Sequence, residues 1–357
     1  MERICSLARW VALVTVLGVA AGLAMKLEWR SLTITDLFWQ GIVPLVPLML
    51  LLMPHLWRGI CPVALLNLVG ARLARGNRPT GPNFLPRETY RWIKLHGVVL
   101  GATILWMLVP LRLLLFNQSA WATLALVGAI IVAAVAMGLA TPWKAGWCSS
   151  LCPVYPVEKL YGAAPLWTLR DPRCVPANSP ESCYRCALHC LDVPLGEEKY
   201  WTAMGKAPTY PFAEAVHNFF LGSFPGFVLA YLLLNNFANL TQPGKLRTIG
   251  FVYGTFLAMM LASYACYRIA QVLLAANHAE ESAGQRRQRL DLVVIFMAVN
   301  LYYMVGGVGI AKVVSILGGW QSAQLAIAAG ILSAVLVVSL IWLRRGWNAR
   351  TAPWAQW

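Results

Sequence analysis

The sequence predicts an all-α polytopic membrane protein with about eight transmembrane helices and a small cytoplasmic loop domain rich in cysteine. Hydrophobic residues make up 59% of the 357 residues and charged residues only 12%, and the mean hydropathy is +0.61. This composition is too apolar for an ordinary soluble protein. Long apolar stretches recur along the chain, and six of the nine cysteines lie within residues 146–190.

The apolar stretches set the span count, because a helix needs about 20 apolar residues to cross roughly 30 Å of hydrocarbon. Eight stretches meet this requirement, and they run from Leu7 to Met25, Leu37 to Leu56, Ile93 to Phe116, Trp121 to Trp143, Phe212 to Phe237, Phe251 to Ala276, Leu292 to Val314 and Ala323 to Leu343. No small-residue cleavage site follows the first stretch, so we expect an anchor rather than a signal peptide. The predicted organisation is a four-span part (1–143), a soluble insertion (144–211) and a second four-span part (212–357).

The distribution of basic residues predicts the orientation. With the N-terminus inside, the inner segments hold 22 of the 29 Lys and Arg residues, and the outer segments hold 6, among them Arg112 and Lys312. The positive-inside rule therefore places both termini and the cysteine-rich insertion in the cytoplasm of a bacterial-type inner membrane. Anionic lipid accounts for the net charge of +15, and nucleic acid is not an expected partner because a basic soluble domain is absent from the sequence.

The insertion carries a cysteine run with the spacing Cys183-x2-Cys186-x3-Cys190, preceded by Cys174. This run matches the end of the bacterial ferredoxin pattern, in which short spacings bring several thiolates to one iron–sulfur cube. Pro180 stands where the complete pattern has its remaining cysteine, so Cys174 is the simplest fourth ligand. We therefore predict a 4Fe-4S cluster on these four cysteines, with a structural zinc site or unliganded thiols as the alternatives.

A weak internal repeat links the second and fourth spans. The segment Trp57-Arg58-Gly59-Ile60-Cys61-Pro62-Val63 follows the second span, and Cys148-Ser149-Ser150-Leu151-Cys152-Pro153-Val154 follows the fourth. Each copy precedes a segment that we expect to form a short helix, Ala64 to Leu73 and Glu158 to Tyr161. Trp57 stands where the second copy has Cys148.

The second copy of the repeat has two cysteines four residues apart, which suits a second cluster, a Cu(I) ion or a redox thiol pair. Plain packing is the alternative for Cys148 and Cys152. Cys61 is expected either to complete this site across the repeat or to act as a small buried hydrophobic residue.

Polar groups near the spans are the remaining candidates. A quinone head group or a single haem bound by His96 or His217 is one alternative to ordinary anchoring of these side chains at the membrane interface. Asn300, with Tyr302 and Tyr303, is the polar patch well inside the second half.

The element Gly146-Trp147-Cys148-x3-Cys152-Pro153, followed by the cysteine run, resembles the membrane-bound ferredoxin-type proteins of the NapH, NosR and CcoG kind. The resemblance covers about Phe38 to Val193. It implies 4Fe-4S clusters on the cytoplasmic side and electron transfer between quinol and respiratory reductases, or a role in copper-enzyme maturation. The chain departs from the family pattern in Trp57, in having one cysteine quartet rather than two, and in its last four spans.

The predicted function is that of a membrane-bound electron-transfer protein whose 4Fe-4S centre exchanges electrons with membrane quinone or with a partner redox complex. We expect a subunit or accessory of an oxidoreductase rather than a self-contained enzyme, because a single cluster on one side cannot carry electrons across about 30 Å of membrane. One alternative is a copper-handling or metalloenzyme assembly factor that uses Cys148 and Cys152. Another is a membrane scaffold or permease with a structural metal site.

Overall fold

A computed structural model of the chain describes residues 2–29, 31–75, 85–141, 146–162, 166, 211–237, 246–276 and 283–348. Seven helical segments in this part of the chain are long and apolar enough to cross a membrane. These segments are Ile34–Leu52, His96–Phe116, Ala120–Ala140, Ala215–Asn235, Arg247–Ala276, Gln285–Gly318 and Gln321–Asn348. Each coincides with one of the eight predicted spans, because a long apolar run in lipid must satisfy its backbone hydrogen bonds internally.

The first predicted span falls within helix α1 (Glu2–Met25). Its described apolar part, Trp10–Met25, is shorter than the seven crossing segments. A small antiparallel hairpin follows, with two strands of two residues each, β1 (Glu28–Trp29) and β2 (Leu32–Thr33). It is the only sheet in the described part of the chain. Within the described residues, the prediction of an all-α protein therefore holds apart from this small hairpin.

The second span is continuous but not uniformly α-helical. It consists of α2 (Ile34–Asp36), the π-helix π1 (Leu37–Ile42) and α3 (Val43–Leu52). Thr33 begins it, because its hydroxyl accepts a hydrogen bond from the Asp36 backbone N–H at 3.0 Å. The span ends before the predicted Leu56, since Met53 precedes Pro54 and adopts a non-helical conformation (φ −149°, ψ 74°).

Two short helices then precede the next spans, α4 (Pro54–Ile60) and α5 (Pro62–Arg75). The third span is α6 (Arg87–Leu111), extended by the π-helix π2 (Arg112–Phe116), and the fourth is α7 (Ala120–Ala140). After α7 come the π-helix π3 (Trp147–Leu151) and α8 (Tyr155–Tyr161). The short helices predicted to follow the two copies of the internal repeat are thus α5 and α8. Both are longer than the predicted ranges of Ala64 to Leu73 and Glu158 to Tyr161.

Close packing of α5 on α7 depends on small residues. A Cβ atom on Gly138 would collide with the Asn67 carbonyl oxygen, and one on Gly70 would collide with the Val135 carbonyl oxygen. The fully buried Asn67 side chain donates to the Ala134 carbonyl oxygen at 2.9 Å. Such approach of helix backbones over small residues is typical of membrane helices.

The last four spans are α9 (Pro211–Phe237), α10 (Leu246–Ala276), α11 (Ala283–Gly318) and α12 (Gln324–Asn348). Most of α9 is buried between α6, α10 and α11, whereas α10 exposes a broad apolar face. This exposed surface suits contact with lipid tails.

One hydrophobic core joins the two four-span parts. It includes Leu50 of α3, Ala102 of α6 and Tyr161 of α8 together with Phe220 of α9 and Trp342 of α12. The last four helices therefore pack directly on the first four in the described part of the chain.

Candidate functional site

The two cysteine-proline elements have nearly the same backbone shape. Cys61 ends α4 with φ −53° and ψ 121°, and Cys152 ends π3 with φ −64° and ψ 119°. The Cys61 N–H donates to the Trp57 carbonyl oxygen at 2.8 Å, and the Cys152 N–H donates to the Trp147 carbonyl oxygen at 3.0 Å. Both cysteines are extended because a following proline disfavours helical conformation at the preceding residue. Each element thus ends one helix and turns the chain into the next.

The structure brings three of the predicted ligands together. Cys148 is buried in a small apolar cluster with Trp147 and Ala134, and the half-buried Cys61 and Cys152 pack against the same cluster. We call these three cysteines the thiol cluster. Its members come from both copies of the repeat, and none of them forms a disulfide.

Burial has the largest effect on the ionisation of Cys152 within the thiol cluster. The pKa of Cys152 is raised well above its ordinary value, mainly by burial and then by the neighbouring Cys148 and Cys61 thiols. The carboxyl of Glu158, itself buried, adds a smaller effect in the same direction, and a hydrogen bond from the Val154 backbone opposes it. The metal-free protein therefore favours the neutral form of the Cys152 thiol, and a bound metal must supply the positive charge that stabilises its thiolate.

The thiol cluster does not by itself form a site for a single metal ion. Among the residues that the structure describes, no group of three or more His, Cys, Asp or Glu side chains is arranged to hold one. A zinc or copper ion with three protein ligands therefore does not fit Cys61, Cys148 and Cys152 as they stand. In a four-iron cluster each thiolate binds a different iron, so its ligands need not converge on one point.

Helices from both halves of the chain hold the second cysteine-proline element in place. A Cβ on Gly101 of α6 would lie 2.8 Å from the Cys152 carbonyl oxygen and 3.0 Å from Cδ of Pro156. On the other side, the fully buried Trp342 of α12 donates its indole N–H to the Tyr161 carbonyl oxygen at 2.9 Å. This bond satisfies a carbonyl at the end of α8 that has no partner within the helix.

The predicted quartet of Cys174, Cys183, Cys186 and Cys190 lies outside the described residues. The predicted histidines are described. His96 of α6 is half-buried, with Nδ1 2.9 Å from the Trp92 carbonyl oxygen and its ring stacked on Trp92 at 4.5 Å.

His96 also approaches α9, because its ring centroid lies 6.4 Å from that of Phe212. His217 follows on the same helix and is buried. Both histidines lie near the bundle end that carries the thiol cluster, since Gly101 beside Cys152 is little more than one turn from His96.

A second polar site, around Arg112, was not predicted. Arg112 is only 8% exposed, although its place in the sequence groups it with the outer basic residues. The signal that could have found it is a lone arginine inside the predicted span from Ile93 to Phe116, since ionisable residues within spans usually face the protein interior.

The fold defines a multi-pass helical membrane protein with a lipid-facing apolar surface. Comparisons with protein-family models, with curated proteins and with solved structures find no match to this chain.

Proposed function

We propose that this chain is a membrane-bound iron–sulfur electron-transfer protein. A 4Fe-4S centre on Cys174, Cys183, Cys186 and Cys190 exchanges electrons with membrane quinone or with a partner redox complex. The protein lies in a bacterial-type inner membrane, with both termini and the cysteine-rich insertion in the cytoplasm. It acts as a subunit or accessory of an oxidoreductase.

The observation that carries this proposal is the convergence of the two cysteine-proline elements. Cys61 meets Cys148 and Cys152 at one end of the bundle, although the two elements are far apart in sequence. Segment 163–210, which contains the quartet, starts eleven residues after Cys152 and is followed by α9, which begins at Pro211. The two described helices that flank this segment, α8 and α9, both meet the bundle at this end, and the run Cys183-x2-Cys186-x3-Cys190 within it has the spacing of cluster ligands.

When bound, a 4Fe-4S cluster supplies one-electron transfer, and the protein sets its potential through burial and hydrogen bonds. The apolar surroundings of the thiol cluster limit its contact with water, and burial favours the neutral form of the Cys152 thiol. Such an environment suits a second 4Fe-4S cluster that uses Cys148 and Cys152 as ligands. It equally suits an apolar surface that packs against the cluster on the quartet. His96 and His217 lie near the same end and are the candidates to hydrogen-bond a quinone head group.

The test is the metal content and the electron paramagnetic resonance spectrum of protein purified without oxygen, recorded before and after dithionite. Cys186→Ser removes a member of the quartet, and Cys148→Ser removes a member of the thiol cluster. Cys266→Ala is the matched control, because Cys266 is exposed on α10 and contributes to neither group.

We expect about four irons per chain with a reducible cubane signal, lost in Cys186→Ser and retained in Cys266→Ala. About eight irons, falling to about four in Cys148→Ser, would assign the thiol cluster to a second centre. Zinc without iron would overturn electron transfer in favour of a scaffold with a structural metal. Copper that is lost in Cys148→Ser, with no iron, would favour a copper-handling factor.

A further inference from the structure

The bundle contains a polar cavity far from the thiol cluster. It has a volume of about 180 Å³, several times the ~30 Å³ that one water occupies in the liquid. Arg112 lies eleven residues, or about 16 Å along the helix, beyond the Gly101 that touches the cysteine element. We call this cavity the arginine pocket, and its polar lining includes Gln40, Arg112, Asn117, Asn235, Tyr302 and Lys312.

Arg112 is held rigidly in the wall of the arginine pocket. Its Nη2 donates to the Trp39 carbonyl oxygen at 2.7 Å, and its Nε donates to Oδ1 of Asn117 at 3.1 Å. The guanidinium also lies over the Trp39 ring at 4.8 Å and the Tyr231 ring at 5.3 Å, which are cation–π distances. The Tyr302 hydroxyl lies beside it. Because a guanidinium has five N–H donors, at least two remain for a ligand.

The charge of Arg112 has no carboxylate partner in the described part of the chain. The other charged side chain that lines the pocket is Lys312, whose Nζ lies 3.7 Å from Oδ1 of Asp36 in an ion pair. The Asp36 carboxylate also accepts hydrogen bonds from the Gln40 amide at 2.5 Å and from the Thr33 hydroxyl at 2.8 Å. Its charge is therefore used by these partners and by Lys312 rather than by Arg112. The pocket therefore carries a net single positive charge, and a buried cation without a counter-ion is costly.

The arginine pocket is built from irregular helix geometry. The segment π1 contributes Trp39 and Gln40, and π2 begins at Arg112. Single turns of π-helix within α-helices occur frequently at functional sites. A Cβ on Gly309 of α11 would lie 3.2 Å from the Gln40 carbonyl oxygen, so this glycine lets α11 close the pocket against π1.

The position of Trp39 is fixed by a further bond, since its indole N–H donates to Oγ1 of Thr123 at 3.0 Å. Thr123 in turn donates to the Phe116 carbonyl oxygen at 2.7 Å, at the end of π2. The two π-helices are thus linked through α7, and the guanidinium is set in place before any ligand arrives.

We propose that the arginine pocket binds an oxyanion, the phosphate of a lipid head group or a free phosphate, through the unused N–H donors of Arg112. Arginine suits phosphate because its planar fork can donate two parallel hydrogen bonds. Lys312 at the rim, with 39% of its side chain exposed, adds attraction for an approaching anion. The pocket is too small for acyl chains, so a lipid inserts only its head group.

The edge of the pocket favours the lipid as the source. Met304 and Val308 of α11 line it and are 49% and 43% exposed, and Asn235 near the end of α9 is exposed as well. An opening bordered by both apolar and amide groups suits a molecule that lies at the boundary between hydrocarbon and water. This proposal is independent of the iron–sulfur centre.

The test uses the full chain in neutral detergent, stripped of lipid, and measures binding by thermal shift and by native mass spectrometry. The probes are a short-chain phosphatidylglycerol, inorganic phosphate and a short-chain ubiquinone as a neutral competitor. Arg112→Gln removes the charge, and Lys312→Gln changes only the rim in case the buried substitution prevents folding. Arg268→Gln is the control, because Arg268 is exposed on α10 and away from the pocket.

We expect Arg112→Gln to weaken phosphatidylglycerol binding by about 10- to 100-fold, since hydrogen bonds to a charged group are lost. Lys312→Gln is expected to weaken it several-fold, and Arg268→Gln to leave it unchanged. The same dependence with inorganic phosphate would identify a free anion as the ligand and support the same chemistry. If neither anion loses affinity in the folded pocket variants, or if only the quinone depends on Arg112, the proposal is overturned.

Discussion

Substitution of Gly101 by alanine tests how closely α6 approaches the cysteine element. The added methyl group would lie 2.8 Å from the Cys152 carbonyl oxygen and 3.0 Å from Cδ of Pro156, and neither atom is the end of a flexible side chain. One of the two elements must therefore shift, which costs about 1–3 kcal/mol in a well-packed interior. Alanine gains about 1 kcal/mol over glycine within a helix, so the net loss is up to about 2 kcal/mol.

Gly128→Ala is a matched control for this loss. Gly128 also lies within a crossing helix, α7, but a Cβ there meets nothing within 4 Å. Alanine gains the same helix propensity over glycine at both positions. The difference in unfolding free energy between the two variants therefore measures the steric cost of the contact at Gly101. Unfolding by dodecyl sulfate in mixed micelles measures both, and we expect a difference of about 1–3 kcal/mol. Equal stability of Gly101→Ala and Gly128→Ala would refute the close approach.

Two further substitutions and one chemical-modification experiment test other parts of the structure. Trp342→Phe leaves the buried Tyr161 carbonyl without its donor, and we expect a loss of about 1–3 kcal/mol in the same unfolding assay, with no loss if that carbonyl reaches water. Gly138→Ala forces a methyl group onto a backbone oxygen of α5, and we expect a loss at least as large as that of Gly101→Ala. In metal-free protein the raised pKa keeps the Cys152 thiol protonated at pH values where an ordinary cysteine has begun to ionise, so iodoacetamide should modify it more slowly than free cysteine in solution at pH 8 and gain speed only at higher pH. Modification of Cys152 as fast as that of free cysteine would contradict this expectation.

The spans could be predicted from the sequence because the requirement for long apolar runs is local. The end of the second span could not be placed from hydropathy alone, since Leu56 continues the apolar run while the Met53 backbone already leaves the helix before Pro54. The sequence also shows the two cysteine-proline elements, because proline imposes the same extended conformation on Cys61 and Cys152 wherever they lie.

The arginine pocket could not be predicted in the same way, because its members come from five helical segments. Arg112 is surrounded by leucines in the sequence, and only the folded chain places Trp39, Tyr231 and Tyr302 around it. The polar patch that the sequence did reveal is divided between two roles. Tyr302 lines the pocket, whereas Tyr303 is buried and donates to the Pro44 carbonyl oxygen at 2.7 Å.

The bond between Trp342 and Tyr161 makes the two halves of the chain interdependent. A fragment that stopped before Pro211 would leave Val157, Leu160 and Tyr161 of α8 without the aromatic side chains of α9 and α12 that cover them. The four C-terminal helices are therefore not an appendage that can be trimmed to obtain a smaller working unit. Two separately produced halves, cut within segment 163–210, carry complementary buried faces and should associate in one membrane.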